Sequence, residues 1–429
     1  MQWLSAQVSR IELSDAYQCV RQTTENLVNE LGAEDQNLQP MAEASPIKWH
    51  RAHTSWFFET FILNRLQKSW RWINPIYCKL FNSYYNGIGR QHPRAMRSLI
   101  SRPDHAGVTQ YRQKIDRAML HLIDSVEKSL WPECHDLVVL GLQHEQQHQE
   151  LMLTDFKTSL PMNPLAPALG LAPEITVTEP NSVEWLEFED GLIEIGADGD
   201  DPAFCFDNET PRHSVFLNCP YALASRPSNC EEFQAFIEDG GYQTASLWLA
   251  DGWAWLQQQC SKSPLYWYKK DNRWYHYTLA GQRPVDPAAP ICHLSFYEAA
   301  AFSEWSGARL PSEAEWENAA CAYPVEGHFA DRQRYQPEST DSRSGTAKLK
   351  QLFGSVWEWT RSSYAPYPGF RAAKGAIGEY NGKFMANQMV LRGGSCATPA
   401  GHVRASYRNF FYPQDRWQFS GVRLARDLN

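Results

Sequence analysis

His144 and His148 stand four residues apart in the run His144-Glu145-Gln146-Gln147-His148-Gln149-Glu150. On a helix that spacing turns both imidazoles to one side, close enough to share a metal ion. The same letters spell H-E-x-x-H, in which two histidines hold zinc and the glutamate activates water for peptide hydrolysis. The extended form of that signature is absent, because Leu151-Met152-Leu153-Thr154-Asp155 place no glycine or histidine where it requires them. Glu150 is too near to serve as a downstream zinc ligand. A third histidine, His53, falls on the inner stripe of an earlier helical pattern, and His50 is the competing choice. Imidazoles converging inside a helical core need a partner, and a metal ion is a suitable one. Three neutral nitrogen ligands without a carboxylate leave open positions on the metal. That suits Fe(II) holding substrate and O2 together, and it also suits a zinc hydroxide.

The elements that must position these histidines are helices. Ser14 is placed to cap a first helix with Tyr17, Val20, Thr24, Leu27 and Leu31 on one face, ending at Gly32. A second helix starts near Pro46 and carries Trp49, His53, Trp56, Phe57 and Thr60 inward. A third carries Tyr111, Ile115, Ala118 and Leu122. A fourth follows Pro132, with Leu137, Gly141, His144, His148 and Leu151 along its seam. The expected architecture is an all-α four-helix bundle over residues 1–160, with a long connection over 69–105 between its second and third helices. Pro161, Pro164, Pro167 and Pro173 mark 161–180 as a linker. Beyond it, over 181–429, short apolar runs, Gly/Pro turns and many tryptophans predict a mixed α+β domain. Only Cys230–Gly240 and Phe296–Gly307 read as helices there.

Composition narrows the function classes. A chain of 429 residues calls for two domains, and 43% hydrophobic with 21% charged residues describes a soluble globular protein. No apolar run is long enough to span a membrane. A net charge of −9 argues against a nucleic-acid surface. The first residues lack the regions of a signal peptide, and the ten cysteines form no C-x-x-C pair, so reduced thiols and a cytoplasmic location are expected.

Several longer strings resemble known families. Ser45-Pro46-Ile47-Lys48-Trp49-His50-Arg51-Ala52-His53-Thr54-Ser55-Trp56-Phe57-Phe58-Glu59, Phe81-Asn82-Ser83-Tyr84-Tyr85-Asn86 and His144–Glu150 are similar to the ergothioneine-biosynthesis sulfoxide synthases, whose N-terminal half is a DinB-like metal-binding bundle. Arg309-Leu310-Pro311-Ser312-Glu313-Ala314-Glu315-Trp316-Glu317, Trp357-Glu358-Trp359-Thr360, Arg392-Gly393-Gly394-Ser395 and Gly421-Val422-Arg423 resemble the formylglycine-generating-enzyme fold, related to C-type lectins. A formylglycine generator needs a cysteine pair after the Gly-Gly-Ser, and only Cys396 lies there, so that activity is not expected. The resemblance implies Fe(II) held by His53, His144 and His148. It further implies a site between the bundle and the second domain, where O2 is the oxidant that joins a thiol to the imidazole C2 of hercynine (Nα-trimethylhistidine) as a sulfoxide. Holding both partners on one metal converts a three-body encounter into a positioned reaction.

The resemblance also suggests roles for other residues. The Tyr84-Tyr85 pair implies a phenolic proton donor near the metal and the branch that uses free cysteine rather than γ-glutamylcysteine; Tyr380 is the rival donor. Arg90 and Arg94 are suited to the carboxylate of an amino-acid thiol. Gln147, just before a ligand histidine, is placed to hydrogen-bond the substrate imidazole or to support the metal's ligands from behind. A trimethylammonium group is recognised by aromatic faces, which makes Phe410, Phe411 and Trp417 the expected binding residues. A selenium-inserting synthase, a non-catalytic ligand-binding module and an HExxH zinc hydrolase are the alternatives.

Overall fold

The computed structural model describes residues 8–169, 180–199, 201–339 and 348–428. It divides into two compact units. The first comprises Met1–Asn163, Asp200–Asp207 and Arg371–Lys383; the second comprises Pro164–Gly199, Asn208–Phe370 and Phe384–Asn429.

Four long helices build the first unit: α1 (Arg10–Leu27), α2 (Ile47–Phe58), α3 (His105–Ser125) and α4 (Trp131–Ser159). Both α1 and α2 pack on both α3 and α4. Leu13, Tyr17, Trp56, Phe58, Ile115 and Leu142 lie in the shared core. The expected cap of α1 at Ser14 is corrected to Ser9, whose hydroxyl accepts from Glu12 N–H while the Glu12 side chain returns the bond to Ser9 N–H. This reciprocal box outcompetes a lone serine five residues later. The helix also stops at Leu27 rather than running to Gly32. Gly141 is required on α4, because a Cβ there would sit 2.5 Å from the Phe58 ring of α2.

Unlike an amphipathic surface helix, α2 is buried on every side, including Lys48, His50, Arg51, His53, Thr54 and Ser55. It continues as a wider π-turn over Glu59–Leu63, a feature that often marks a functional segment. Its buried polar groups order the long connection that follows. Trp49 Nε1 donates to Leu80 O at 2.9 Å, and Lys48 Nζ donates to Ile100 O at 2.7 Å. Glu59 accepts from Ile73 N–H at 2.8 Å and from the Tyr111 hydroxyl at 2.5 Å. Of the expected linker, residues 170–179 lie outside the described residues, and Leu160–Met162 form a short 3-10 turn.

The second unit contains small sheets and short helices. One sheet orders Trp185–Phe188, Tyr221–Ala224 and Ala425–Asp427 antiparallel. Another orders Asn409–Phe411, Met389–Arg392, Trp357–Ser363 and Ser420–Gly421, with only its last pairing parallel. Helices form at Cys230–Glu238 and Phe296–Trp305 as expected. Ala250–Gln259 and Glu313–Ala320 are helical too, against the expectation of only two. The latter starts from a Ser312/Glu315 capping box that the sequence contained. The motifs of this half converge on its interior. Buried Glu358 receives Arg423 at 2.7 Å and Trp316 Nε1 at 2.6 Å, and Arg392 reaches Glu317 at 2.8 Å and Glu313 at 3.0 Å. At Gly393, with φ +97°, a Cβ would lie 2.6 Å from Leu352 O. These motifs hold the fold together rather than forming a reactive surface.

Candidate metal centre

His53 from α2 and His144 and His148 from α4 bring their ligand atoms within 4.8 Å of one another. All three rings are buried. The Nε2 atoms of His53 and His144 face each other at 3.2 Å. His53 Nδ1 lies 2.5 Å from Phe81 O, which can only accept. His53 therefore carries its hydrogen on Nδ1 and points a bare Nε2 inward. His144 Nδ1 has no hydrogen-bond partner among the described residues. Aromatic walls fix the rings: Trp49 stacks on His53 at 4.6 Å between ring centroids and Phe57 stacks on His144 at 4.3 Å. Burial pushes the His144 imidazole down to about 3 and those of His53 and His148 well below their ordinary value. The rings are thus neutral and able to ligate at physiological pH. Neutral nitrogen donors with no carboxylate among them fit a borderline transition metal such as Fe(II) or Zn(II), and not Ca(II) or Mg(II).

His50, the competing third ligand, stands outside this cluster. Its Nδ1 is 2.7 Å from His148 Nδ1, and its Nε2 is 3.2 Å from Asp155 Oδ2. It contacts the His148 ring through the Nδ1 atom.

Glu145 is committed elsewhere. Its Oε2 accepts from Arg21 at 2.8 Å, and its Oε1 accepts from Thr24 at 2.7 Å and Arg112 at 3.0 Å. Burial alone would raise its carboxyl, but the two guanidiniums outweigh burial and hold it at about 2. A carboxylate saturated this way is a poor general base, so the H-E-x-x-H letters do not act as a peptidase motif here.

The connection after α2 delivers the tyrosine pair. Asn82 accepts from Tyr85 N–H at 3.0 Å and donates to Tyr85 O at 2.9 Å, which pins the turn. Tyr85 is buried edge-on to Phe61 at 4.9 Å and lies near Phe57, the ring that stacks on His144. The Tyr84 and Tyr85 hydroxyls are 3.4 Å apart. Tyr84 also stacks on Tyr380 at 5.4 Å, and the Tyr380 hydroxyl donates to Gln147 Oε1 at 3.0 Å. Tyr380 is therefore part of the first unit although it comes from the C-terminal half of the chain. Its segment is anchored by Glu379, which accepts from Asn86 N–H at 2.8 Å and Gly87 N–H at 2.7 Å, and by Lys383, which donates to Tyr84 O. Burial raises all three phenols above their ordinary value, so they are protonated and able to donate.

Of the expected carboxylate binders, Arg90 and Arg94 are exposed. The buried arginine of that run is Arg97, which sequence reasoning missed. Its guanidinium lies 3.4 Å from the Trp49 ring centroid and donates to Ser45 Oγ at 2.7 Å. Its Nε has no hydrogen-bond partner among the described residues, while the Asp155 carboxylate is near enough to act on it electrostatically. Burial, with Arg94 nearby, pushes its pKa well below the usual guanidinium range. No local spacing marks it: Arg94 and Arg97 share the 3-10 turn Arg94–Leu99, yet only Arg97 is buried, because it meets the Trp49 ring from a distant helix. Phe410, Phe411 and Trp417 belong to the second unit. Phe410 stacks on Tyr364 at 4.1 Å, and Phe411 meets Trp417 edge-on at 5.8 Å. All three rings are half-buried.

The chain is similar to several known proteins. A hercynine oxygenase of Mycolicibacterium thermoresistibile is 29% identical over 416 residues, covering 90% of this chain and 88% of its own. Another, from Mycolicibacterium smegmatis, is 28% identical and covers 98% of this chain and 100% of its own. The formylglycine-generating enzyme of Bos taurus is 26% identical over 48% of this chain and 63% of its own. Residues 176–428 match the family described as the sulfatase-modifying factor enzyme 1-like domain. That match covers more than half of the sequence and includes the Trp316, Glu358, Arg392 and Arg423 interior, and by it the chain belongs to the sulfatase-modifying factor enzyme 1-like (FGE-sulfatase) family.

Proposed function

We propose that this chain is an Fe(II)- and O2-dependent sulfoxide synthase of ergothioneine biosynthesis, joining the thiol of cysteine to the imidazole C2 of hercynine. The observation that carries this reading is the buried set of three neutral histidines without a carboxylate, in a chain whose relatives over 90% of its length are named hercynine oxygenase. The first unit is then a DinB-like bundle, and the enzyme works in the cytoplasm. The overall balance consumes one O2: the C2–H and S–H bonds are replaced by a C–S bond, sulfur gains one oxygen, and the other oxygen leaves as water. Iron(II) held by His53, His144 and His148 supplies the redox chemistry that couples O2 to the thiol.

The remaining residues bind, orient and protonate. Arg97 offers the thiol substrate's carboxylate a buried guanidinium with no salt bridge among the described residues, a better partner than the solvated Arg90 or Arg94. Gln147, held by Tyr380, orients the hercynine imidazole next to His148. Phe410, Phe411 and Trp417 supply aromatic faces for the trimethylammonium group. Tyr84, Tyr85 and Tyr380 form a connected set of neutral phenols, from which one donates the proton that favours coupling over simple thiol oxidation. Zinc hydrolysis is disfavoured by the saturation of Glu145. The test is oxygen uptake by the Fe(II)-loaded protein. Uptake that requires hercynine and cysteine together supports the reading; uptake independent of hercynine contradicts it.

A further inference from the structure

We propose that Asp155, acting through His50, is a positioning residue that dictates which nitrogen His148 presents to the metal. The Asp155 carboxylate is buried, and its Oδ2 accepts from Ser45 N–H at 2.8 Å. That same oxygen lies 3.2 Å from His50 Nε2. A carboxylate only accepts, so His50 Nε2 bears the hydrogen. A neutral imidazole has one N–H, which leaves His50 Nδ1 as an acceptor. The His148 Nδ1 atom, 2.7 Å from it, must then be the donor. With its hydrogen committed to Nδ1, His148 keeps a bare lone pair on Nε2.

The sequence spacing makes this possible. Asp155 follows His148 by seven residues, two turns along the same face of α4. His50 precedes His53 by three residues on α2, so a ligand and a ligand's support alternate along one helix. The Phe81 carbonyl performs for His53 what the Asp155–His50 pair performs for His148. Among the described residues, His144 has no such support on its Nδ1. A metal ligand whose tautomer is fixed in advance does not have to reorganise to bind, and loss of such a partner costs 10–100-fold in metal affinity.

The inference rests on the reading of His53, His144 and His148 as a metal site, and the experiment separates the two. The full-length protein, freed of metal and labelled with 15N-histidine, is examined by NMR, and Fe(II) and Zn(II) are then titrated anaerobically against a competing chelator. The expected result is an Nδ1–H tautomer for His148 in the metal-free chain, with affinity for both ions about 10–100-fold weaker in Asp155→Ala and in His50→Phe. Asp155→Asn, whose amide oxygen can accept from both Ser45 and His50, should restore binding. An Nε2–H tautomer for His148 overturns the proposal without needing any variant to fold. So does unchanged affinity in a folded Asp155→Ala protein. A parent chain that binds neither ion overturns the metal reading, and the proposal with it.

Discussion

The Tyr380 hydroxyl donates to Gln147 Oε1 at 3.0 Å, tying residue 380 to the helix turn that carries His148. The bond places a phenol from the C-terminal half of the chain inside the histidine-bearing unit, alongside Tyr84 and Tyr85. The three rings are linked, so their roles are best separated by product rather than by rate alone. Tyr84→Phe, Tyr85→Phe and Tyr380→Phe are each compared for sulfoxide formed against cysteine oxidised without coupling. The variant that removes the proton donor should lose coupling by about 100-fold or more while cysteine oxidation persists. An unchanged product ratio in all three variants contradicts a tyrosine proton donor.

Replacing any one of His53, His144 or His148 by alanine removes a ligand from a set of three and should abolish stoichiometric iron binding, measured by metal analysis after anaerobic loading and desalting. His50→Ala should still bind iron at saturating concentrations, because His50 is outside the set. Full iron retention by His53→Ala would show that the third ligand has been misassigned.

Glu145→Gln should act on stability first. Removing charge from a carboxylate that serves two buried guanidiniums should cost about 3–5 kcal/mol, read by chemical denaturation. The pH dependence has a definite sign. The folded-state value of about 2 lies below the ordinary 4.5, so this group stabilises the fold fully above pH 4.5 and loses that contribution as pH falls toward 2. Metal-free Glu145→Gln protein should therefore show a shallower loss of stability over that range than the parent. Equal slopes would mean that the ion pairs do not set the carboxyl's pKa.

Arg97→Ala should raise KM for the thiol by about tenfold or more, the worth of a charge-assisted hydrogen bond to a carboxylate. Arg90→Ala and Arg94→Ala should leave KM near the parent value, since both side chains are solvated. Steady-state kinetics at varied cysteine concentration would check this, and a larger effect at Arg90 or Arg94 would reverse the assignment.

Much of the site was legible because it sits on regular helices. The four-residue spacing of His144 and His148, and the stripe through Trp49, His53 and Trp56, project side chains predictably once the helix is recognised. The partners of those residues were less legible because they depend on contacts distant in sequence. Nothing near Glu145 announces Arg21 and Arg112, and nothing near Tyr380 announces Gln147. Arg97 was hidden for a related reason: its burial comes from stacking on Trp49, whereas its neighbours in the same basic run face solvent. The start of α1 was misplaced because two serines competed and only Ser9 has a glutamate three residues on.

The most direct test of the account is the fate of the imidazole C2 position. Hercynine labelled with 13C at C2 is incubated with the Fe(II)-loaded protein, cysteine and O2, and followed by NMR with mass analysis of the product. The account predicts that the C2–H signal disappears as a product forms carrying both the hercynine and cysteine skeletons plus one oxygen atom. Retention of the C2–H signal while cysteine is oxidised, with iron fully loaded, would contradict it.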